Sequence, residues 1–168
     1  MDQAEKRSLL AIPVIILAAV LITLAASQGG VQVFGLPLFA LAVAIAFVIQ
    51  WIVFIPSYLN QTEKYFDLTG SITYLTVVWV TVLLRPGADL RAYLLVGLVT
   101  IWALRLGTFL FRRIQKAGSD ERFDEIKPSI ARFLAVWTIQ GLWVSLTLAA
   151  ALAAITAKQQ VELGIFAL

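Results

Sequence analysis

One arginine, Arg105, interrupts an apolar run that extends from 92 to 111. A guanidinium in hydrocarbon costs a few kcal/mol unless it reaches water or a partner. Two readings are open: its stem snorkels toward headgroups near Arg112 and Arg113, or it faces a polar cavity that holds an anion or a carboxylate. Trp102, Arg105, Phe109 and Arg112 recur at i, i+3, i+7 and i+10. That spacing predicts a stripe of aromatics and cations on one helix face, lining a site at the basic end.

Asp67 opens another apolar run, in Asp67-Leu68-Thr69-Gly70-Ser71. A carboxylate there serves as a helix N-cap. Partly buried, it would instead pair with Arg105 or polarise a substrate. Tyr74 shares a helical face with Gly70, Thr73, Val77 and Thr81, the small and hydroxylated residues that pack membrane helices. Its phenol is alternatively a proton donor to a substrate oxygen. Gln140 lies near the middle of a further apolar run. An amide at that depth needs a partner on another helix, so it points inward, as interhelical glue or as a substrate contact.

Whole classes of chemistry are absent. The chain has no histidine and no cysteine, which excludes disulfides, thiolate or imidazole metal sites and Ser-His-Asp or Cys-His catalysis. The mixed-charge stretch 118–127 carries neither a Gly-rich phosphate loop nor metal-ligand spacing, and reads as a solvated loop. The net charge is +3, yet its cations sit in separate loops rather than on one stripe. Nucleic acid is therefore not an expected partner.

These residues need a scaffold, and composition names it. Of 168 residues, 61% are hydrophobic and 14% charged, against about 25% charged in a soluble domain. Lipid must cover such a surface. Runs at 9–26, 31–55, 68–84, 92–111 and 133–155 approach the roughly 20 residues that cross a bilayer as helix, and none alternates as a barrel strand does. The expectation is an all-α polytopic bundle of about five transmembrane helices, one domain over 1–168. The first run resembles a signal peptide, with Lys6 and Arg7 before it and Ala25-Ala26-Ser27 after it. Its length and the four runs behind it favour an uncleaved span. With the N-terminus cytoplasmic, nine cations fall inside: Lys6, Arg7, Lys64, Arg112, Arg113, Lys116, Arg122, Lys127 and Arg132. Arg85, Arg91 and Lys158 fall outside. The positive-inside rule supports that orientation. After a polar turn at 158–162, a new apolar run at 164–168 is too short to span, so the chain is expected to be the front of a longer protein.

Several segments together resemble a known family. They are the stretch 61–71 with Glu63, Asp67 and Gly70, then Ile101-Trp102-Ala103-Leu104-Arg105-Leu106-Gly107, Arg112-Arg113, Asp120-Glu121-Arg122-Phe123 and Trp137-Thr138-Ile139-Gln140-Gly141. In order and spacing they resemble a bacterial membrane family grouped with the steroid 5-alpha-reductases, whose superfamily also holds the isoprenylcysteine carboxyl methyltransferases. The resemblance implies an integral protein of the bacterial inner membrane that reduces a conjugated double bond in a lipid-like enone with NADPH. In those reductases a carboxylic acid and a tyrosine hydroxyl hydrogen-bond the carbonyl. By position Asp67 stands for the acid, while Trp102 and Arg105 match a Tyr-x-x-Arg in which Trp102 replaces the tyrosine. Tyr74 and Gln140 are the candidate substrate contacts, and Arg112 and Arg122 the candidate cofactor contacts. The family's main NADPH residues lie in later helices with a His-containing segment that this chain lacks, so the chain alone is not expected to bind NADPH. Two other readings remain: a superfamily methyltransferase using S-adenosylmethionine, and a non-enzymatic membrane scaffold or assembly subunit.

Overall fold

A computed structural model describes residues 2–159. The apolar run at 164–168 and most of the polar turn before it lie outside the described residues. Among the described residues five α-helices form: α1 (Gln3–Ala26), α2 (Leu38–Leu59), α3 (Phe66–Leu84), α4 (Leu90–Ala117) and α5 (Ile130–Thr156). Each is long and apolar enough to cross a membrane. The chain is an integral membrane protein, and backbone hydrogen bonds closed within each helix are what permit it to be one.

The helix ends differ from the hydropathy runs, for local reasons. The helix α1 starts six residues early because Asp2 and Glu5 form a reciprocal capping box, Glu5 N donating to Asp2 Oδ1 at 2.6 Å. The second run was expected from 31, yet α2 begins at Leu38. Residues 32–37 instead form a small antiparallel hairpin, β1 (Gln32–Val33) and β2 (Leu36–Pro37), with Gln32 opposite Pro37. Phe34 and Gly35, both at positive φ (55° and 76°), make the tight turn that such two-residue loops require. Helix α3 begins at Phe66, with Tyr65 as its N-cap residue and no side-chain cap bond. Asp67 is therefore a first-turn residue and not the cap. Asp89 and Ser129 cap α4 and α5, accepting from Ala92 N at 2.9 Å and Arg132 N at 3.4 Å.

Helix α3 lies at the centre, packed on α2, α4 and α5, while α5 also packs on α1 and α2. Close approach is built from small residues. A Cβ on Gly107 of α4 would sit 2.7 Å from Ser71 Cβ on α3, and one on Gly141 of α5 would sit 3.2 Å from the Phe47 ring. Polar rivets cross the apolar core: the fully buried Gln50 donates to Thr73 Oγ1 at 2.8 Å, and Trp51 Nε1 to Thr138 Oγ1 at 3.2 Å. At the end of the bundle that carries fewer cations, Arg85 donates to Ala157 O (3.0 Å), Arg91 to Ala154 O (3.2 Å) and Val31 N to Thr156 O (2.8 Å). These donors satisfy the carbonyls that the last turn of α5 leaves open and place positive charge at its negative dipole end.

Candidate functional site

Helices α4 and α5 both lean on α3 but touch each other only slightly. The gap between them is a cleft of about 450 Å³, within the usual range for small-molecule sites. Its floor is the α3 face bearing Gly70, Ser71 and Tyr74. One wall is Trp102, Leu106 and Leu110 of α4. The other includes Ile139, Gln140, Trp143 and Thr147 of α5. Trp143 and Ile139 are exposed on the outer lip, so the cleft opens sideways, toward the acyl chains. Phe66 and Asp67 line it at the basic end of the bundle.

Its polar groups are few and differently employed. Gln140 Nε2 donates to Phe66 O at 3.1 Å, while Gln140 Oε1 is buried without a partner. The amide reaches that place only because residue 70 is glycine: a Cβ there would lie 2.7 Å from Nε2. Tyr74 is 4% exposed, lines the cleft together with Thr147, and meets the Trp102 ring edge-on at 4.8 Å. Trp102, in the place of the expected phenol, thus braces the phenol of Tyr74. Asp67 Oδ2 accepts from Arg113 Nη2 at 3.2 Å, and its own carbonyl accepts from Ser71 Oγ at 3.3 Å.

The cleft thus gathers Asp67, Tyr74, Trp102 and Gln140. Arg105 lies elsewhere, with Arg112, in a depression on the outer side of α4. Helical geometry explains the split. Three residues advance about 300°, which sets Arg105 about 60° behind Trp102, whereas Leu106 and Leu110 step forward into the cleft. The partner of Asp67 is Arg113 and not Arg105. Arg122 sits on the α4–α5 loop, tied by Nε and Nη2 to Asp120.

That loop is less solvated than its charges suggest. Phe123 is buried against Phe66 (ring centroids 5.2 Å) and Phe133 (6.2 Å). Glu63, 4% exposed, anchors it by accepting from Lys127 Nζ at 2.7 Å and Asp120 N at 2.8 Å. Burial alone would raise the Glu63 pKa, but the Lys127 ammonium and the Asp120 and Glu63 amides outweigh it and hold the carboxyl below its ordinary value. Lys127 is raised, chiefly by its hydrogen bond to Glu63. Neither residue stands out by type. The only signal is a single acid beside an apolar run, answered by a lysine 64 positions later.

A second groove, between α1 and α2, is lined by Val20, Thr23, Phe47 and Trp51 among others and encloses about 330 Å³. It offers almost no polar group.

A family model described as a protein of unknown function, DUF1295, matches residues 51–167. The match takes in every residue of the cleft and leaves out α1. No curated protein and no solved structure matches the chain.

Proposed function

The chain belongs to the DUF1295 family, and we propose that its α3–α4–α5 cleft binds a lipid-like enone drawn from the bilayer of the bacterial inner membrane, as substrate of a reductase of the 5-alpha-reductase type. The observation that carries this reading is the convergence of Tyr74, Gln140 and Trp102 on one laterally open, largely apolar cleft that contains an unpartnered acceptor, Gln140 Oε1. A rigid apolar skeleton fills the walls. Its carbonyl accepts a hydrogen bond from the Tyr74 hydroxyl, and a hydroxyl elsewhere on it donates to Gln140 Oε1. A donor aimed at the carbonyl oxygen stabilises the negative charge that develops there on reduction.

Asp67 plays a different part from the one the resemblance implies. It lies seven residues before Tyr74, about 10.5 Å along the helix, so the two do not converge on one carbonyl. Held by Arg113, Asp67 fixes α3 to α4 at the basic end, which on this reading faces the cytoplasm. NADPH is the reductant that the resemblance implies, but Arg112 and Arg122 do not form a site for it. One faces outward from α4, and the other is bound to Asp120.

Tryptophan fluorescence tests the reading, because Trp102 and Trp143 line the cleft. Titrating the purified chain in micelles with a 3-keto-4-ene steroid should quench saturably. Tyr74→Phe should weaken binding about tenfold, the worth of one hydrogen bond. Unchanged affinity in that variant would remove Tyr74 from the site.

A further inference from the structure

The outer side of α4 carries a feature that the cleft does not use. Arg105, Thr108, Phe109, Arg112 and Lys116 surround a shallow depression of about 750 Å³. Arg113, at its edge, turns round the helix to Asp67. The other three cations, all exposed, have no carboxylate within ion-pair distance among the described residues. From Arg105 to Arg112 is seven residues, and to Lys116 four more. At 100° per residue the three lie within about 40° of one another, a single ladder parallel to the axis. No acidic side chain lines it.

Depth decides what such a ladder can hold. Arg105 is about 10.5 Å further into the helix than Arg112, and Lys116 about 6 Å further out. The intervening surface is apolar: Phe109 and Leu104 are both exposed, and Ile101 lies one turn further in. A water-borne anion reaches Lys116 and Arg112 without difficulty but meets hydrocarbon before Arg105. A phosphate that arrives on a lipid meets no such barrier, because its own acyl chains cover Leu104 and Phe109 while it neutralises the cations above and below. From this charge pattern we propose that the Arg105–Arg112–Lys116 ladder is a binding site for the phosphate headgroup of an anionic phospholipid. It holds that lipid on the side of α4 facing away from the cleft and gives Arg105 the counter-ion it lacks among the described residues. The site is independent of the enone reading.

Native mass spectrometry of the full chain, equilibrated in micelles with equal amounts of phosphatidylglycerol and phosphatidylcholine, reads the preference directly. The wild-type chain should retain phosphatidylglycerol over phosphatidylcholine by about tenfold or more. Arg105→Gln/Arg112→Gln/Lys116→Gln should bring the two lipids near parity. Lys6→Gln/Arg7→Gln/Lys64→Gln, which removes as many cations at the same end of the bundle, should keep the preference. If the first triple variant does not fold, Arg112→Gln/Lys116→Gln, confined to the outermost turns of α4, should still lose most of it. Any of three results overturns the proposal: no preference in the wild type, equal loss in both triple variants, or displacement of bound phosphatidylglycerol by micromolar NADPH, which would make the occupant a dinucleotide.

Discussion

Replacing Gly107 by alanine tests the α3–α4 contact that sets the base of the cleft. The new Cβ would stand 2.7 Å from Ser71 Cβ and 2.9 Å from Ser71 Oγ, about 1 Å closer than carbon atoms pack comfortably. Ser71 Cβ is fixed to the α3 backbone, so no rotamer change relieves the contact and the helices must part. Overpacking of this kind costs about 1–3 kcal/mol. Alanine in place of glycine returns up to about 1 kcal/mol of helix propensity, leaving a net loss of about 1 kcal/mol. Combining it with Ser71→Gly removes the obstructing atom. The double-mutant cycle should then show a favourable coupling of about 1–3 kcal/mol. Reversible unfolding in mixed micelles, followed by circular dichroism, supplies all four corners. Coupling within about 0.5 kcal/mol of zero, the range seen for independent sites, would mean that α3 and α4 do not meet at Gly107.

Gly70→Ala should behave differently, because the atom in its way is the free end of the Gln140 side chain. Stability should stay within about 1 kcal/mol, as the lost Gln140–Phe66 hydrogen bond offsets the helix gain, while enone affinity in the fluorescence titration falls with the displaced amide. Glu63→Gln should loosen the α4–α5 loop at a cost of about 1–3 kcal/mol, read as faster motion of a spin label at Ser119→Cys, a clean site because the chain has no cysteine. The same label gives the pH dependence. Glu63 is depressed, so its contribution is present above the ordinary carboxyl value of 4.5 and is lost as pH falls through the lower folded value. Lys127 is raised, so its contribution persists until pH climbs past 10.5. The label should thus report a docked loop throughout the neutral range, and a loop that is released at pH 7 contradicts the anchor. Calorimetry of residues 1–168 with NADPH should show no micromolar binding, since Arg112 and Arg122 point to different places. Heat that saturates in that range would refute the geometric argument.

The parts legible in the sequence are those governed by averages over many residues. Continuous apolar runs marked all five helices, because every backbone polar group in hydrocarbon must be satisfied within its own segment. Helix ends depend on single residues and were less visible. Apolar Val31, Val33 and Leu36 concealed a hairpin that Gly35 and Pro37 signal, and Tyr65 took the cap position expected of Asp67. Within the site, Asp67, Tyr74, Trp102 and Gln140 stood out as polar or aromatic groups at depth, and the helix packing brings them to one cleft. Arg105 stood out by the same criterion and went elsewhere. A spacing of three residues is compatible with a shared stripe, and only the direction in which α4 meets α3 decides which edge of that stripe is buried. Glu63 with Lys127, and Gly107 with Ser71, are pairs between distant segments. Neither member announces the other until the chain is folded.

The proposed function puts a lipid-like enone in the space between α4 and α5. Photolabelling of the purified chain with a 3-keto-4-ene steroid bearing a diazirine, followed by peptide mapping, tests this most directly, because two apolar recesses compete for such a ligand. Adducts on Trp102, Leu106, Ile139 or Trp143, displaced by excess unlabelled steroid, are the predicted result. Displaceable adducts confined to Val20, Phe47 and Trp51 in the α1–α2 groove would contradict it.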